Sequence, residues 1–274
     1  HINVNVEKVE KQSFNHKYLV TTSEGLYEAD NIIVATGAFQ EPIIPNIIPS
    51  NSKVNQIHSQ AYKNPEQFSD GSILVIGSGS SGSQIAEELR RTNKEVFFSI
   101  GPHDRPPRRY RGRDNVWWLG VLGKWEAKTP NPGTQHVTIA VSGYDGGKTI
   151  DFRKFANMGI ILLGMTKEFK NEKIYFENDL KKNIHNGDKN YLSLLDEADE
   201  YITNNNLDFS EEPEARQFER DHECIKNPIL ELDLNLSGIK NVIWATGYKN
   251  NFDWIKLDIF DETGKPEHNN GVSK

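Results

Sequence analysis

Ile2, Val4 and Val6 alternate with polar residues at the start of the chain. A period of two is that of a half-buried strand. Tyr18–Ser23 and Gly25–Glu28 read as the two strands of a hairpin. Asn31–Val34 is a short apolar run, read as a strand, that ends in Ala35-Thr36-Gly37. Pro42, Pro45 and Pro49 disfavour regular structure and make Gln40–Lys53 a linker. Ser72–Ile76 is the next apolar strand, followed by Gly77-Ser78-Gly79-Ser80-Ser81-Gly82. A helix is predicted from about Ser81 to Thr92, with Ile85, Ala86 and Leu89 on one face. Glu95–Ile100 is a second strand. Strand, glycine turn, helix and strand within about 30 residues form a βαβ unit.

Beyond it, His103–Asp114 is strongly basic, and Trp117, Trp118 and Trp125 follow. Asn131–Asp151 is rich in glycine and turn residues, and Gly159–Gly164 is an apolar strand. Thr166–Phe169 and Ile174–Glu177 pair through the turn Asn171-Glu172. Leu192, Leu195, Ala198 and Ile202 give Tyr191–Asn205 helical spacing. Glu211–Glu223 is charged and predicted to be exposed. Leu230–Leu234 and Asn241–Ala245 are strands, the second running into Ala245-Thr246-Gly247-Tyr248. Asp261–Lys274 is polar and turn-like.

The 274 residues suffice for one large or two ordinary domains. A hydrophobic content of 36% with 26% charged residues is a globular balance. Mean hydropathy is −0.65, and no apolar run reaches the roughly 18 residues of a membrane span. A net charge of −7 argues against nucleic acid as a partner. No signal-peptide pattern opens the chain, so a cytoplasmic location is the default expectation. Cys224 is the single cysteine, which excludes electron transfer through a dithiol within this chain and any cysteine-based metal site.

The glycine loop carries the clearest chemistry. Gly77 allows a tight turn off the strand, Gly79 lets the main chain approach a pyrophosphate, and Gly82 lets helix and strand pack closely. The helix start offers free N–H groups and the positive end of its dipole. Ser78, Ser80 and Ser81 stand in the same loop, the last two adding hydroxyl donors. A site for NAD usually ends its second strand in an acid that binds the ribose 2′-hydroxyl. Here Val96-Phe97-Phe98-Ser99-Ile100 ends without one, and arginines follow. Ser99, Arg105, Arg108 and Arg109 are therefore candidates around a 2′-phosphate, which favours NADPH. A solvated basic loop is the competing reading, and Asp104 argues against a phosphate.

The two Ala-Thr-Gly turns, Ala35–Gly37 and Ala245–Gly247, allow close approach of a cofactor or of another segment. His58 and Tyr62 would share a face on a helix, and a structural role is the commoner one for such a pair. The tryptophan run reads as core or interface before stacking platform. Glu223 beside Cys224 disfavours a thiolate. No metal-spaced cluster or catalytic triad stands out, and no catalytic residue is assigned.

Taken in order, Ala35-Thr36-Gly37, His58-Ser-Gln-Ala-Tyr62, Gly77–Gly82 and Trp244-Ala-Thr-Gly-Tyr248 resemble the flavin-containing monooxygenase superfamily, in its bacterial flavoprotein branch. Pro107–Asp114 and Trp117-Trp118 are similar to that branch as well. The resemblance covers about Asn31 to Ser273. It implies an α/β fold in which a Rossmann-like NAD(P)-binding domain is inserted in a partial FAD-binding domain. On that basis residues 1–45 belong to the FAD domain, 46–228 to the NAD(P)H domain with its Arg/Trp-rich insertion, and 229–274 to the returning FAD domain. The two Ala-Thr-Gly turns would be the crossings, with Thr36, Gly37 and Gly247 near the flavin. The resemblance further implies that NADPH reduces the flavin and that oxygen then reaches a small organic substrate. A homo-oligomer is compatible with it. Two departures stand out. Ser52 and Val54 occupy positions where the family has Phe and Gly. The family's FAD glycine loop should precede residue 1 and its closing flavin segment should follow Ser273, so the chain is expected to be an internal part of a longer flavoprotein, or a truncated relative. The rivals are an NAD(P)H:acceptor reductase without oxygen insertion and a non-catalytic nucleotide sensor.

Overall fold

The computed structural model describes residues 2–12, 17–68, 70–127 and 138–273. The opening of the predicted turn-rich stretch, 131–137, lies outside them. The chain divides into two compact units, His1–Ile43 with Gly247–Lys274, and Ile44–Thr246. The first crossing falls inside the proline-rich linker. The second falls within the turn Ala245–Gly247 and not at residue 229. The reason is that Ile239–Trp244 is an inner strand of the larger unit's sheet.

The smaller unit holds a four-stranded sheet in the order Ile255–Lys256, Val6–Lys11, Tyr18–Thr22, Gly25–Ala29. The predicted hairpin is present, with Tyr18 opposite Ala29. Thr22 shapes its turn, donating from Oγ1 to the Gly25 carbonyl and accepting from the Glu24 N–H. The opening strand starts at Val6 rather than Ile2, which is largely exposed. Asn31–Val34 is not a strand. A strand needs a hydrogen-bonded neighbour, and none runs beside this segment among the described residues; Ile33 is 91% exposed.

In the larger unit a five-stranded parallel sheet runs Ile161–Leu163, Val96–Ser99, Ser72–Ile76, Ile239–Trp244, Asn55–His58. All of Ser72–Ile76 is buried, as a strand covered on both faces must be. Successive side chains point to opposite faces. Ile73 and Val75 join one core with Ile85, Ala86 and Leu89 of the helix Ser80–Arg91, and with Phe152 and Leu180. Leu74 and Ile76 join a second core with Trp244, Ile174 and Phe176. That second face is covered by a three-stranded antiparallel sheet of Thr166–Lys170, Lys173–Phe176 and Glu231–Asp233. The predicted hairpin through Asn171-Glu172 is part of it, both turn residues having positive φ.

The helix expected at Tyr191–Asn205 spans Leu180–Asn204. Its first half escapes the periodicity because Asn183, Asn186 and Gly187 are poor helix formers. Tertiary contacts override that preference. Leu180 and Ile184 are buried, Asn183 Nδ2 donates to the Ile100 carbonyl at 3.1 Å, and Gly187 lies against His103. Burial lowers the pKa of His103, whose Nδ1 lies 2.9 Å from the Gly101 carbonyl and whose ring meets Phe152 edge-on.

The second half of this helix packs Tyr191, Leu195, Ala198 and Ile202 on Tyr110 and Trp118, forming a third small core in the Arg/Trp-rich insertion. Trp118 is buried there with Trp117 packed against the cluster, as the core reading of the tryptophan run expects, whereas Trp125 is 61% exposed and does not fit it. Asp199 ties the insertion together, accepting from Tyr110, Arg111 and Arg216. Burial pushes its carboxyl up, but those hydrogen bonds hold it below the usual range. Glu211–Glu223 is not simply exposed surface. Its Arg216 pairs with Asp196 and Asp199, its Asp221 with Arg153, and its Phe218 packs on Tyr191.

Asp188 sits between two buried arginines, Arg105 and Arg153, each at 2.8 Å. Asp188→Asn leaves Arg105 without its charge partner in the interior and Arg153 with Asp221 alone. Loss of one member of a buried ion pair costs about 3–5 kcal/mol, so the urea midpoint of this variant is expected to fall steeply; an unchanged midpoint would contradict the network. Gly187→Ala separates propensity from packing. Propensity favours alanine by about 1 kcal/mol. A Cβ there would stand 2.6 Å from His103 Nε2, and His103 is held on its other side. Net destabilisation of about 1–3 kcal/mol is expected from overpacking, read as a lower melting temperature; a higher one would refute the contact.

Candidate nucleotide site

Ser72–Ile76 lies at the point where the sheet order reverses. The chain leaves it toward Val96–Ser99 and Ile161–Leu163 on one side, while Ile239–Trp244 lies on the other. In such sheets the loops diverge at the carboxyl ends of these strands and leave a crevice for a ligand. The glycine loop emerges at this position.

Its geometry follows from absent side chains. Gly77 has φ +107°, and a Cβ on it would overlap the Ala245 carbonyl oxygen. On Gly82 a Cβ would overlap the Gly77 carbonyl oxygen and stand 3.1 Å from the Ala245 Cβ. Ala245 N donates to the Ile76 carbonyl at 2.8 Å, and Gly77 N to the Ser99 carbonyl at 3.2 Å. The helix Ser80–Arg91 begins after Gly79, whose N-cap position has no side-chain cap. Its first N–H groups therefore lack intrahelical acceptors and suit an anion. Ser83 braces the turn, donating from N to the Gly79 carbonyl and from Oγ to the Ser78 carbonyl. Ser81 is exposed at the helix start and Ser78 is buried beneath it. Ser80 Oγ donates to the Ile139 carbonyl at 3.2 Å. The strand Thr138–Ile139 crosses the loop here, an element too short for periodicity to reveal.

The remaining candidates are not brought to this loop together. Ser99 is a cross-strand tie, its Oγ 2.9 Å from the Gly164 carbonyl and 2.8 Å from Thr166 Oγ1. Arg105 is 3% exposed, bonded to Asp188 and the Ile150 carbonyl, with its guanidinium over the Tyr191 ring. A group so committed is not available to a 2′-phosphate, which corrects its reading from sequence. Arg108 pairs with Asp114, and Arg109 donates to the Gly146 carbonyl. Gly146 belongs to the same turn as Tyr144, whose ring faces Arg91 at the far end of the 12-residue helix. Arg109 is thus tied to a turn that packs along this helix, beside Gln84 as well as Arg91. The sequence run was basic because these arginines hold the insertion together.

His58 and Tyr62 flank a short 3-10 turn, Ser59–Ala61, rather than sharing an α-helical face. His58 is buried and accepts the Gln60 N–H on Nδ1. Tyr62 donates to Glu88 at 2.7 Å, and burial together with Glu88 pushes its pKa up. Burial likewise raises the Cys224 thiol, against nucleophilic use.

In the smaller unit, Thr36 and Gly37 line a cleft of 520 Å³ with Ile32, Val34, Ile259 and Val272. Ala35 is exposed beside them. Gln40 Nε2 fixes the turn by donating to Thr36 Oγ1 and to the Gly37 carbonyl, both at 2.9 Å. Gly247, with φ +81°, accepts the Ile43 N–H at 3.0 Å, and Thr246 closes the larger unit. Among the described residues there is no cluster that could hold a metal ion, and no helix long and apolar enough to cross a membrane.

Residues 1–110 match the pyridine nucleotide-disulphide oxidoreductase family profile. An uncharacterised CzcO-like oxidoreductase of Geobacillus kaustophilus is 29% identical over 275 residues, covering 99% of this chain and 62% of the relative. The chain thus spans less than two thirds of that relative's length. Flavin-containing monooxygenase 5 of Rattus norvegicus is 37% identical over 112 residues, covering 39% of this chain and 19% of its own. Among solved structures, a flavin-containing monooxygenase from Stenotrophomonas maltophilia shares the fold, with a TM-score of 0.53 at 16% identity, covering 98% of this chain and 58% of that one. With its glycine loop at the sheet's switch point, the chain is similar along its length to a CzcO-like oxidoreductase and shares the fold of a flavin-containing monooxygenase.

Proposed function

We propose that this chain carries the NADPH-binding core of a flavin-dependent oxidoreductase of monooxygenase type, in which NADPH reduces FAD and the reduced flavin oxygenates a small organic substrate. The observation that carries the reading is the glycine cradle: Gly77 and Gly82 have no room for a Cβ, so the helix Ser80–Arg91 starts directly off the strand with its first N–H groups uncapped by a side chain. In this reading the helix N–H groups and Ser81 hold the pyrophosphate, and Ala245 backs the loop. NADPH is preferred to NADH because the strand Val96–Ser99 ends without a carboxylate to repel the 2′-phosphate. The arginines no longer support that preference. The cleft at Thr36 and Gly37 suits an isoalloxazine ring in character, being lined by apolar side chains beside an ordered polar turn. Bound flavin would supply hydride acceptance and oxygen activation. Reductase chemistry without oxygen insertion is the second reading, favoured by the internal partners of His58 and Tyr62 and by Ser52 and Val54 at the fingerprint positions.

Gly82→Ala is expected to push the loop off Gly77 and weaken NADPH binding by about tenfold or more, a loss of about 1.4 kcal/mol or more, as read by NADPH fluorescence titration. Wild-type affinity in that variant would remove the loop from the site. Turnover of the flavin-loaded protein under isotopically heavy oxygen separates the two chemistries. Label in the product, with NADPH consumed in equal amount, is the expected result; substrate turnover that continues without oxygen would establish the reductase instead.

A further inference from the structure

The strand Thr138–Ile139 lies across the glycine loop. It pairs in parallel with His103–Asp104, which follows the second strand of the βαβ unit; Thr138 is registered with His103 and Ile139 with Asp104. Among the described residues, the following contacts bear on this segment. Ser80 Oγ donates to the Ile139 carbonyl. Ala140 N donates to the Asp104 carbonyl at 2.8 Å. A Cβ on Gly79 would stand 3.0 Å from Thr138 Cγ2. The last contact is the informative one. The middle glycine of such a loop lacks a side chain so that a pyrophosphate can reach the main chain. Here the Thr138 methyl takes that approach. The Ser80 hydroxyl, well placed for an anion at the helix start, is turned to Ile139.

The anchoring changes abruptly along the segment. Ile139 is 54% exposed, whereas Ala140 is wholly buried in the main core. Downstream, Val141–Ser142 pairs with Lys148–Thr149, and Thr149 Oγ1 accepts the Arg108 N–H. Ala140 is thus a fixed point, and among the described residues Thr138–Ile139 is held by a two-residue ladder, one side-chain hydrogen bond and a methyl packed toward Gly79.

We propose that Thr138–Ile139 is a gate on the phosphate loop: the dinucleotide phosphates and Thr138 compete for the space over Gly79, and the nucleotide docks when the segment lifts about Ala140. The proposal rests on reading Gly77–Gly82 as the dinucleotide loop. Apparent affinity then equals the intrinsic affinity multiplied by the open fraction. Anything that pins the segment weakens NADPH binding, and anything that loosens it strengthens binding.

The test locks the gate reversibly. Asp104→Cys with Ile139→Cys joins register partners, in a Cys224→Ser background, and thiol counting reports the bond. NADPH titration of the oxidised protein is expected to show at least tenfold weaker binding than the reduced protein, with recovery on adding dithiothreitol. Thr138→Gly, which removes the methyl, is expected to tighten NADPH binding several-fold and decides the matter alone where the cross-link does not form. Equal affinity in the oxidised and reduced forms, or weaker binding in Thr138→Gly, overturns the gate while leaving the loop as the site. Absence of NADPH binding in wild type, reduced double variant and Thr138→Gly alike overturns the loop assignment and the gate with it.

Discussion

One close contact governs the larger unit. The helix Ser80–Arg91 must turn directly off the strand Ser72–Ile76, and it does so with Gly82 against the Gly77 carbonyl and Gly77 against Ala245, at separations that no Cβ permits. This constraint fixes where the helix starts and which way its N–H groups face. It also sets the depth at which Ile85, Ala86 and Leu89 meet Ile73 and Val75. Packing and ligand geometry are one solution here. The same absent side chains that let helix and strand approach set the uncapped N–H groups of the helix start beside the strand end, the arrangement that suits an anion.

The arrangement of charge shows why composition alone misled at one point. A run of arginines next to a phosphate loop suggests a phosphate clamp, and sequence carries no sign of where the partners are. Asp188, Asp199 and Asp221 lie far along the chain, yet they meet Arg105, Arg111 and Arg153 at 2.7–2.8 Å. Burying these cations is tolerable because each faces a carboxylate or a carbonyl, and Asp199 and Asp221 hold their charge against burial for the same reason. The insertion is therefore a folded attachment with a charged seam and an aromatic core. Its basicity is largely spent on its own cohesion.

What could be read from sequence follows the range of the forces involved. The βαβ unit, the hairpin Tyr18–Thr22 with Gly25–Ala29, and the pair around Asn171-Glu172 were legible because local periodicity and turn chemistry specify them. The first half of the helix Leu180–Asn204 was not, because Asn183 and Gly187 are helical only through their contacts with Ile100 and His103. Asn31–Val34 had the pattern of a strand, but a pattern cannot supply a neighbour. In the site, the glycines were legible since their role is steric and local. The Thr138–Ile139 crossing was not, since a two-residue strand has no period, and its meaning lies in a contact with Gly79 across the fold.

The two Ala-Thr-Gly turns make the same distinction in one tripeptide. Ala245 is required to be small, because its carbonyl and Cβ face Gly77 and Gly82 directly. Any larger side chain there would push on the glycine loop itself, so the second turn braces that loop from behind. Ala35 meets no such demand. It is exposed, and its neighbours Thr36 and Gly37 are shaped by Gln40 at the rim of an apolar cleft. Identical sequence thus constrains packing in one unit and lines a surface in the other. The shared need is for a chain that leaves an apolar segment and turns with positive φ at its glycine, +72° at Gly37 and +81° at Gly247. Recognition by motif captured that backbone requirement, and only the surroundings of each alanine separate the structural turn from the one open to a ligand.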